Sequence, residues 1–434
     1  MLKKMQQKGT ILCFVLLTVG LYVILSRYVW VINSDTHKMK MYQMDERDRI
    51  VQLKYQSESI VQLKYQSEST GKVTVQPIGK HSGKLTGKPK GVYFLKVHKC
   101  GSTTLQTILL RYGLLYNMTI GMPCSHPQSV RQIMGIPEPL KSEHIMPLST
   151  GLTHYDLIAQ HTRYSIDVKQ IMMPGTPFVA ILRDPITHFK SLFSFFKVYI
   201  TYRKHISLPN NATVREKFKY FVDRIKDMPE LTISPPDGLP ARNPQLYTFG
   251  LTDHQTKNLD FVQDSLKQFE SDFDLVMLVE HFDESLVLLR NILNCDLRDL
   301  ISLKSSYVSP DKGATKLTTK QKQNILEWNA GDKILYDHFN KTFWKKVEQY
   351  GFDRMSEDVA KLQELARIEK ESCHAIGKII GAFEVGLETQ RCKLYNADIW
   401  NLERFVRSRM TKSGIYNVSL AQRTCKHPPT LDGQ

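Results

Sequence analysis

The 434-residue sequence lacks the patterns that mark several common classes of protein. It has no Cys-x-x-Cys pair and no Cys and His residues at zinc-ligand spacing, so we predict no structural metal. It has no Gly-x-x-x-x-Gly-Lys-Ser/Thr motif, which argues against a nucleotide kinase of the Walker type. A disordered chain is also excluded, because 41% of the residues are hydrophobic and can form a core.

The positive charge of the chain is unevenly distributed. The net charge is +16, yet residues 1–90 alone contain 15 Lys and Arg against 6 Asp and Glu. Much of the basicity therefore lies outside the predicted folded part, and we predict no nucleic-acid partner. The remaining surplus suits an anionic ligand, although an ordinary solvated surface explains it equally well.

The amino-terminal region has the composition of a membrane anchor and a spacer. Residues 11–26 contain no charge and follow Lys3, Lys4 and Lys8, which predicts a signal anchor over 11–32 with residues 1–10 in the cytosol. A cleaved signal peptide is the alternative, but no small-x-small cleavage site follows the apolar run. Residues 33–90 are polar and repeat ten residues, 50–59, unchanged at 60–69, so we interpret them as a flexible stem.

We therefore expect a single-pass type II membrane protein, with residues 91–434 forming a lumenal domain. Four acceptor motifs for N-glycosylation agree with a lumenal position, at Asn117, Asn211, Asn340 and Asn417. An oxidising lumen also allows disulfides. The sequence leaves the pairing of the cysteines open, and we favour a Cys373–Cys392 bridge because both residues lie in the polar carboxyl-terminal region, which a covalent link would stabilise.

A strand, a loop and a helix are predicted near the start of this domain. Residues 91–97 form a short apolar run typical of a buried strand, and apolar residues recur at helical spacing from Ser102 to a final Gly113. The start of such a helix directs backbone N–H groups and its dipole toward one point, where a phosphate can bind. Lys99 and the hydroxyls of Ser102, Thr103 and Thr104 would add donors. An ordinary strand-to-helix turn is the alternative.

A second unit of the same kind follows. Residues 177–182 predict a strand, and Arg183-Asp184-Pro185 predicts the start of a helix. Arg183 and Ser191 can converge there on one anion. A third unit covers residues 275–289, and its acidic residues Asp283 and Glu284 complement a helix dipole, so we assign them and Glu280 structural roles rather than catalytic ones.

The loop Leu-Lys-Val-His-Lys-Cys-Gly-Ser-Thr-Thr at 95–104 resembles the 5′-phosphosulfate loop of the galactose 3-O-sulfotransferase family, which typically has Leu-Lys-Thr-His-Lys-Thr-Ala-Ser-Ser-Thr. The eight residues from Arg183 to Ser191 match the spacing of the 3′-phosphate site in sulfotransferases. The resemblance covers roughly residues 91–355. It implies an α/β fold with a central parallel sheet flanked by helices, P-loop-like, and a largely helical carboxyl-terminal part.

The resemblance also implies the chemistry. The sulfate donor would be 3′-phosphoadenylyl sulfate (PAPS), with Lys99, and more weakly Lys96, neutralising the leaving oxygen and His98 acting as the base. The donor-binding residues would be Lys96, Lys99, Cys100, Gly101, Ser102, Thr103, Thr104, Arg183 and Ser191. His161 and Arg163 match a family segment and are candidates for acceptor binding or donor support, or else polar groups satisfied beside a strand end.

The acceptor implied by the resemblance is the 3-hydroxyl of galactose on a glycolipid or a glycoprotein glycan, and the implied location is the Golgi membrane. The chain is also compatible with a homodimer. Two alternatives stay open. One is a 2-O-sulfotransferase of the heparan or dermatan type. The other is an inactive carbohydrate-binding membrane glycoprotein, against which the intact His98, Lys99, Arg183 and Ser191 argue. We expect further acceptor residues in the loops between residues 208 and 258.

Overall fold

The computed structural model describes residues 88–124, 133–209, 211–234, 238–303, 316–379 and 387–425. All of them belong to one compact unit, His81–Gln434. The predicted cytoplasmic tail, the membrane span at 11–32 and the stem up to residue 87 lie outside the described residues. Within the ranges given above, no helix is both long and apolar enough to cross a membrane.

A five-stranded parallel sheet forms the centre of the unit, which confirms the predicted α/β class with a central parallel sheet. The strands of the described chain are β1 Val92–Leu95, β2 Ile120–Gly121, β3 Ile133–Met134, β4 Leu157–Ile158, β5 His161–Thr162, β6 Phe178–Leu182, β7 Thr232–Ser234, β8 Leu239–Pro240 and β9 Leu275–Leu278. The sheet has the order β2-β4-β1-β6-β9. The strands β3 and β5 form a separate parallel pair, and β7 pairs with β8 in the antiparallel sense.

The central strands are apolar throughout because both faces of the sheet are covered. Every residue of β1, β6 and β9 is buried, as expected for parallel strands between layers of helices. Leu95 of β1 lies opposite Ala180 of β6, and Leu182 lies opposite Leu278 of β9. The loops that leave these three strands therefore begin at the same edge of the sheet.

Helices surround the sheet and make up most of the carboxyl-terminal part, as predicted. They are α1 Ser102–Leu115, α2 Val168–Ile171, α3 Pro185–Phe195, α4 Val198–Thr201, α5 Val214–Asp223, α6 Pro244–Thr248, α7 Leu259–Asp272, α8 Phe282–Leu293, α9 Thr319–Trp328, α10 Ala330–Tyr350, α11 Phe352–Ile379, α12 Leu387–Asn396, α13 Ile399–Lys412 and α14 Val418–Thr424.

The structure changes the role that the sequence suggested for Gly113. We expected this glycine to end α1, but the helix continues to Leu115. A Cβ atom at Gly113 would lie 3.0 Å from Ile120 Cδ1 and 3.1 Å from Leu157 Cδ1. The glycine therefore allows α1 to pack closely on β2 and β4, and this close approach, rather than helix termination, requires it.

The start of α3 agrees with the prediction, and its buried face belongs to a second apolar cluster. The Asp184 side chain accepts a hydrogen bond from the Thr187 backbone N–H at 2.9 Å, and Pro185 is the first helical residue. Phe189 and Phe193 are buried against Phe221 of α5, with ring centroids 5.9 and 5.4 Å from it. This packing fixes α3 and hence the residues at its two ends.

Two disulfides stabilise the carboxyl-terminal part. The predicted Cys373–Cys392 bridge is confirmed, and a second bridge, which we did not predict, joins Cys124 to Cys425. Cys124 follows the edge strand β2, so the second bridge ties the end of the described chain to the central sheet. Cys100 and Cys295 are buried and reduced.

Candidate active site

The loop that follows β1 has an unusual backbone. Lys99 and Gly101 both have positive φ, 58° and 63°, a region that a lysine rarely adopts. Such conformations persist only where the surroundings hold them, and they are concentrated at functional sites. The Ser102 hydroxyl contributes to holding the loop, because it donates a 2.6 Å hydrogen bond to the Val97 carbonyl.

The hydroxyl of Ser102 thus has a different partner from the one we expected. The sequence suggested that it would donate to a phosphate, whereas its hydrogen closes the loop. Thr103 is exposed and Thr104 is half-buried, at the surface of the first turn of α1. Within the described part of the chain, no side chain caps the start of this helix. The Thr104 N–H donates to the Gly101 carbonyl at 3.1 Å, whereas the N–H groups before it and the positive end of the helix dipole face the position where an anion can bind.

Arg183 connects the loop to the next strand of the sheet. It follows β6, and its Nη1 donates to the Lys99 carbonyl at 3.2 Å, while its Nε donates to Thr187 Oγ1 at 3.2 Å. Ser191 lies one turn beyond Thr187 on α3 and hence on the same face of that helix. The structure therefore brings together the two predicted halves of the donor site.

The site concentrates positive charge. Burial, followed by the nearby charge of Arg183, lowers the pKa of Lys99. Burial also lowers the pKa of Lys190 on α3, and the charges of Arg183 and Arg215 lower it further. Mutual repulsion of this kind is relieved when an anion binds. Sequence reasoning missed Lys190 and Arg215, because neither belongs to a recognisable motif.

A buried amide holds the backbone of Arg183. Gln245 Oε1 accepts from the Arg183 N–H at 3.0 Å and from the Cys100 thiol at 3.4 Å, and its Nε2 donates to the Arg183 carbonyl at 3.0 Å. Asp332 of α10 in turn accepts from the backbone N–H groups of Gln245 and Leu246. Burial raises the pKa of Asp332 to about 7, and these N–H donors oppose the rise.

Cys100 is held in the same interior. Burial raises the pKa of its thiol well above the usual value, so it is an inert side chain rather than a nucleophile. The sequence showed neither Gln245 nor Asp332 as part of the site. Gln245 does lie in the segment 208–258 where we expected acceptor residues, but its contacts support the donor side.

The His98 ring lies against a second histidine. The imidazoles of His98 and His161 stack with centroids 3.8 Å apart and planes 10° apart. His161 Nδ1 donates to the Lys96 carbonyl at 2.8 Å, and His188 Nε2 donates to the His98 carbonyl at 2.8 Å. Burial, with the charges of His98 and Lys96 adding to it, lowers the pKa of His161 well below its ordinary value. A neutral ring therefore supports His98.

Lys96 occupies the interior rather than the surface of the loop. Its side chain is 0% exposed and interacts with Glu403 of α13, which is 1% exposed. Burial lowers the pKa of Lys96 and raises that of Glu403, and each charge opposes the shift of the other. Gln106 Nε2 completes the network, with hydrogen bonds of 2.9 Å to Glu403 and 2.7 Å to Gln160. The donor-binding role of Lys96 stays a prediction.

Arg163 has contacts typical of a structural residue. Its guanidinium donates to the carbonyls of Gly250, Pro137 and Tyr247 at 2.9, 3.1 and 3.3 Å. It also lies 4.6 Å from the centroid of the Tyr247 ring. These contacts favour the alternative that Arg163 is a satisfied polar group, which here holds neighbouring loops together. His161, which was predicted together with Arg163, lies directly beside the base candidate His98.

None of the four predicted glycosylation asparagines takes part in the contacts described above. Asn117 and Asn211 are exposed, whereas Asn340 is half-buried within α10 and Asn417 caps α14 by accepting from the Leu420 N–H at 2.9 Å. Glu280 accepts from the Asp184 N–H at 2.9 Å, which agrees with its structural assignment. The carboxylate of Glu369 and the sulfurs of Cys373 and Cys392 lie within 4.8 Å of one another, but those two sulfurs form the disulfide.

Comparison with known proteins gives a consistent result. A family model described as galactose-3-O-sulfotransferase matches residues 10–393. The chain is 31% identical over 277 residues to galactose-3-O-sulfotransferase 3 of Bos taurus, a match that covers 63% of this chain and 61% of that protein. It is 29% identical over 300 residues to galactosylceramide sulfotransferase of Mus musculus, covering 68% of this chain and 66% of that one.

The matched region thus spans about three fifths of the length of the bovine relative. A third relative, galactose-3-O-sulfotransferase 2 of Sus scrofa, is 29% identical over 300 residues, covering 67% of this chain and 71% of its own length.

Proposed function

The chain belongs to the galactose-3-O-sulfotransferase family, and from this premise we propose that it transfers the sulfuryl group of PAPS to the 3-hydroxyl of galactose on a glycolipid or glycoprotein glycan. One observation carries the proposal. The His98-Lys99 loop and Arg183 leave neighbouring strands of a parallel sheet and meet through the hydrogen bond from Arg183 to the Lys99 carbonyl. Two anion-binding elements at one sheet edge suit a donor with a phosphate at each end of its ribose.

In this proposal the loop and the start of α1 bind the 5′-phosphosulfate, and Arg183 with Ser191 binds the 3′-phosphate. The galactose 3-hydroxyl oxygen attacks sulfur, its proton passes to His98, and the bond from sulfur to the bridging oxygen breaks. Negative charge then develops on the leaving phosphate. The Lys99 ammonium, close to this position, stabilises the charge.

The structure supports this division of roles, because His98 and Lys99 have different surroundings. His98 is 7% exposed and fixed by a stacked neutral imidazole, which orients a base without adding a competing positive charge. Lys99 is half-buried beside Arg183, so two cations lie where negative charge would develop on the leaving 5′-phosphate. This strand, loop and helix arrangement is also what a P-loop-like sulfotransferase fold requires.

Transfer of labelled sulfate tests the proposal. We expect the full-length chain in detergent, supplied with radiolabelled PAPS, to label galactosides of glycolipid and glycoprotein type and to leave 3-O-blocked galactosides unlabelled. Label on a 3-O-blocked galactoside would contradict the regiochemistry. Label on glycosaminoglycan alone would favour the 2-O-sulfotransferase alternative, and failure to label any acceptor, with galactoside binding retained, would favour the inactive carbohydrate-binding glycoprotein.

We further propose that residues 11–32 anchor the chain in the Golgi membrane with the described domain in the lumen. The four N-glycosylation motifs, the two disulfides and the apolar run at 11–26 support this placement. In sealed Golgi vesicles, we expect protease added outside to remove at most the first residues and glycosidase treatment to lower the apparent mass. Complete digestion without detergent would contradict this topology. A homodimer remains a prediction.

A further inference from the structure

Two aromatic rings border the proposed catalytic pair. Phe195 is the last residue of α3 and Phe196 follows it, with ring centroids 5.0 Å apart and planes at 87°. The Phe196 centroid lies 5.7 Å from the His98 imidazole, and Lys99 Nζ lies 3.8 Å from the Phe195 centroid. The pair therefore touches both the base candidate and the cation candidate.

The packing of the protein does not account for Phe195. Phe189 and Phe193, on the same helix, fill the apolar cluster and are almost completely buried. Phe195 is 62% exposed, more than any other large hydrophobic side chain in the described ranges. An exposed ring gains only a small stabilisation from the nearby Lys99 ammonium, so this contact alone does not explain why Phe195 lies at the site.

The chemistry of galactose provides that reason. Its axial 4-hydroxyl leaves a patch of C–H groups on one face of the sugar, and the flat face of an aromatic ring can cover such a patch. Small-molecule sites commonly combine apolar and aromatic walls with a few convergent polar groups. The rings of Phe195 and Phe196 provide the apolar surface here, and His98 and Lys99 provide the polar groups.

We propose that Phe195 and Phe196 form the acceptor subsite, in which the face of Phe195 stacks on the apolar face of galactose and so presents the 3-hydroxyl to His98. The inference rests on the proposed function and names its sugar-binding residues. It also links the two substrates. The Lys99 ammonium lies over the Phe195 ring in this structure, so donor binding that draws Lys99 toward the phosphate uncovers the ring for the sugar.

A Phe195→Ala variant of the full-length chain tests the subsite. With a methyl β-galactoside as acceptor, we expect the acceptor KM to rise about 3- to 10-fold, while the dissociation constant of adenosine 3′,5′-bisphosphate is unchanged. The preference for galactoside over the corresponding glucoside should fall in parallel. Phe195→Tyr should restore the acceptor KM, because it restores the ring face.

Phe352→Ala is the matched control. Phe352 is 58% exposed at the start of α11, and its removal should alter neither KM nor donor affinity. An unchanged acceptor KM in Phe195→Ala would overturn the proposal, as would a change confined to donor affinity, which would show that Phe195 only positions Lys99.

A binding measurement tests this subsite independently of the proposed reaction. Saturation-transfer NMR with the methyl β-galactoside, with and without adenosine 3′,5′-bisphosphate, needs no turnover. We expect stronger sugar binding when the nucleotide is present, and loss of this gain in Phe195→Ala. If the wild-type chain bound the sugar in this way without transferring sulfate, the reaction would be wrong and the subsite right. Equal binding by both proteins would refute the subsite.

Discussion

The proposed donor site and the carboxyl-terminal helices α12–α14 both supply polar side chains to the interior, but they are organised differently along the chain. The donor site is made of short runs, 96–104 and 183–191, at the ends of two neighbouring strands. The helices α12–α14 and the residue that follows them contribute single side chains, such as Glu403 of α13 behind the loop and Cys425, directly after α14, bridged to Cys124. The residues proposed to bind and react are therefore close together in the sequence, whereas the residues that hold them in place come from distant parts of the chain.

This difference predicts two kinds of variant. Substitutions of His98 or Arg183 in the proposed donor site should change turnover or donor affinity and leave the free energy of unfolding nearly unchanged. Substitutions among the supporting residues should lower the free energy of unfolding first. The following measurements, from the largest expected effect to the smallest, test whether the two regions can be separated in this way.

His98→Ala should lower turnover by about 10²- to 10⁴-fold, because the acceptor hydroxyl loses its base. Donor affinity should remain, since other residues bind the phosphates. Initial rates at saturating donor and acceptor measure the effect, and His254→Ala, which removes an exposed histidine of the same chain, is the control. Near-normal turnover of the His98 variant would remove the base assignment.

Glu403→Ala should lower the free energy of unfolding by about 3–5 kcal/mol, because it leaves Lys96 buried without its acidic partner. Urea unfolding measures the change. Glu364→Ala is the control, since Glu364 pairs with Arg367 on the exposed surface of α11 and should contribute at most about 1 kcal/mol. If the two variants were equally stable, the carboxyl-terminal helices would not support the loop through this pair.

Arg183→Ala should weaken donor binding about 10- to 100-fold, the loss expected for hydrogen bonds to a charged group. Arg163→Ala provides the contrast, because Arg163 donates to three backbone carbonyls. That variant should lower the melting temperature and leave donor affinity unchanged. Titration with adenosine 3′,5′-bisphosphate and thermal unfolding distinguish the two. Equal donor affinity in wild type and Arg183→Ala would eliminate the 3′-phosphate site.

Acidification should destabilise the fold around the site. Burial lowers the pKa of His188 from 6.5 to about 3, so the folded state keeps this ring neutral while the unfolded state protonates it. The contribution of the neutral His188 ring to the free energy of unfolding is therefore fully present above pH 6.5 and is lost as the pH falls from there toward 3. Between pH 6.5 and 5.5 we expect His188 to lower the free energy of unfolding by about 1 kcal/mol.

Urea unfolding of wild type and His188→Gln across this pH range checks the sign. The glutamine variant retains a donor for the His98 carbonyl but does not titrate, so its pH dependence should be shallower. His161 contributes in the same direction, because its pKa is lowered as well. Identical pH profiles for the two proteins would contradict a buried neutral His188.

Much of the fold was predictable because it depends on local patterns. The apolar runs that became β1, β6 and β9 are short and bounded by polar residues, and the Asp184-Pro185 pair marks the start of α3 in both sequence and structure. Gly113 shows where such reasoning fails. A glycine near the end of a helical pattern usually ends the helix, but here the nearby side chains of Ile120 and Leu157 require it.

The sequence favoured the Cys373–Cys392 bridge but left the pairing of the cysteines open. By itself it determined the His98-Lys99 loop and the Arg183 strand end, since each is defined by neighbouring residues. Only the tertiary structure decided which side chains support them. Gln106 and Glu403 are 297 residues apart, and Cys100 and Gln245 are 145 apart. Contacts over such distances leave no periodic or spaced signal in one sequence, because each partner is an ordinary polar residue until the fold buries it beside the other.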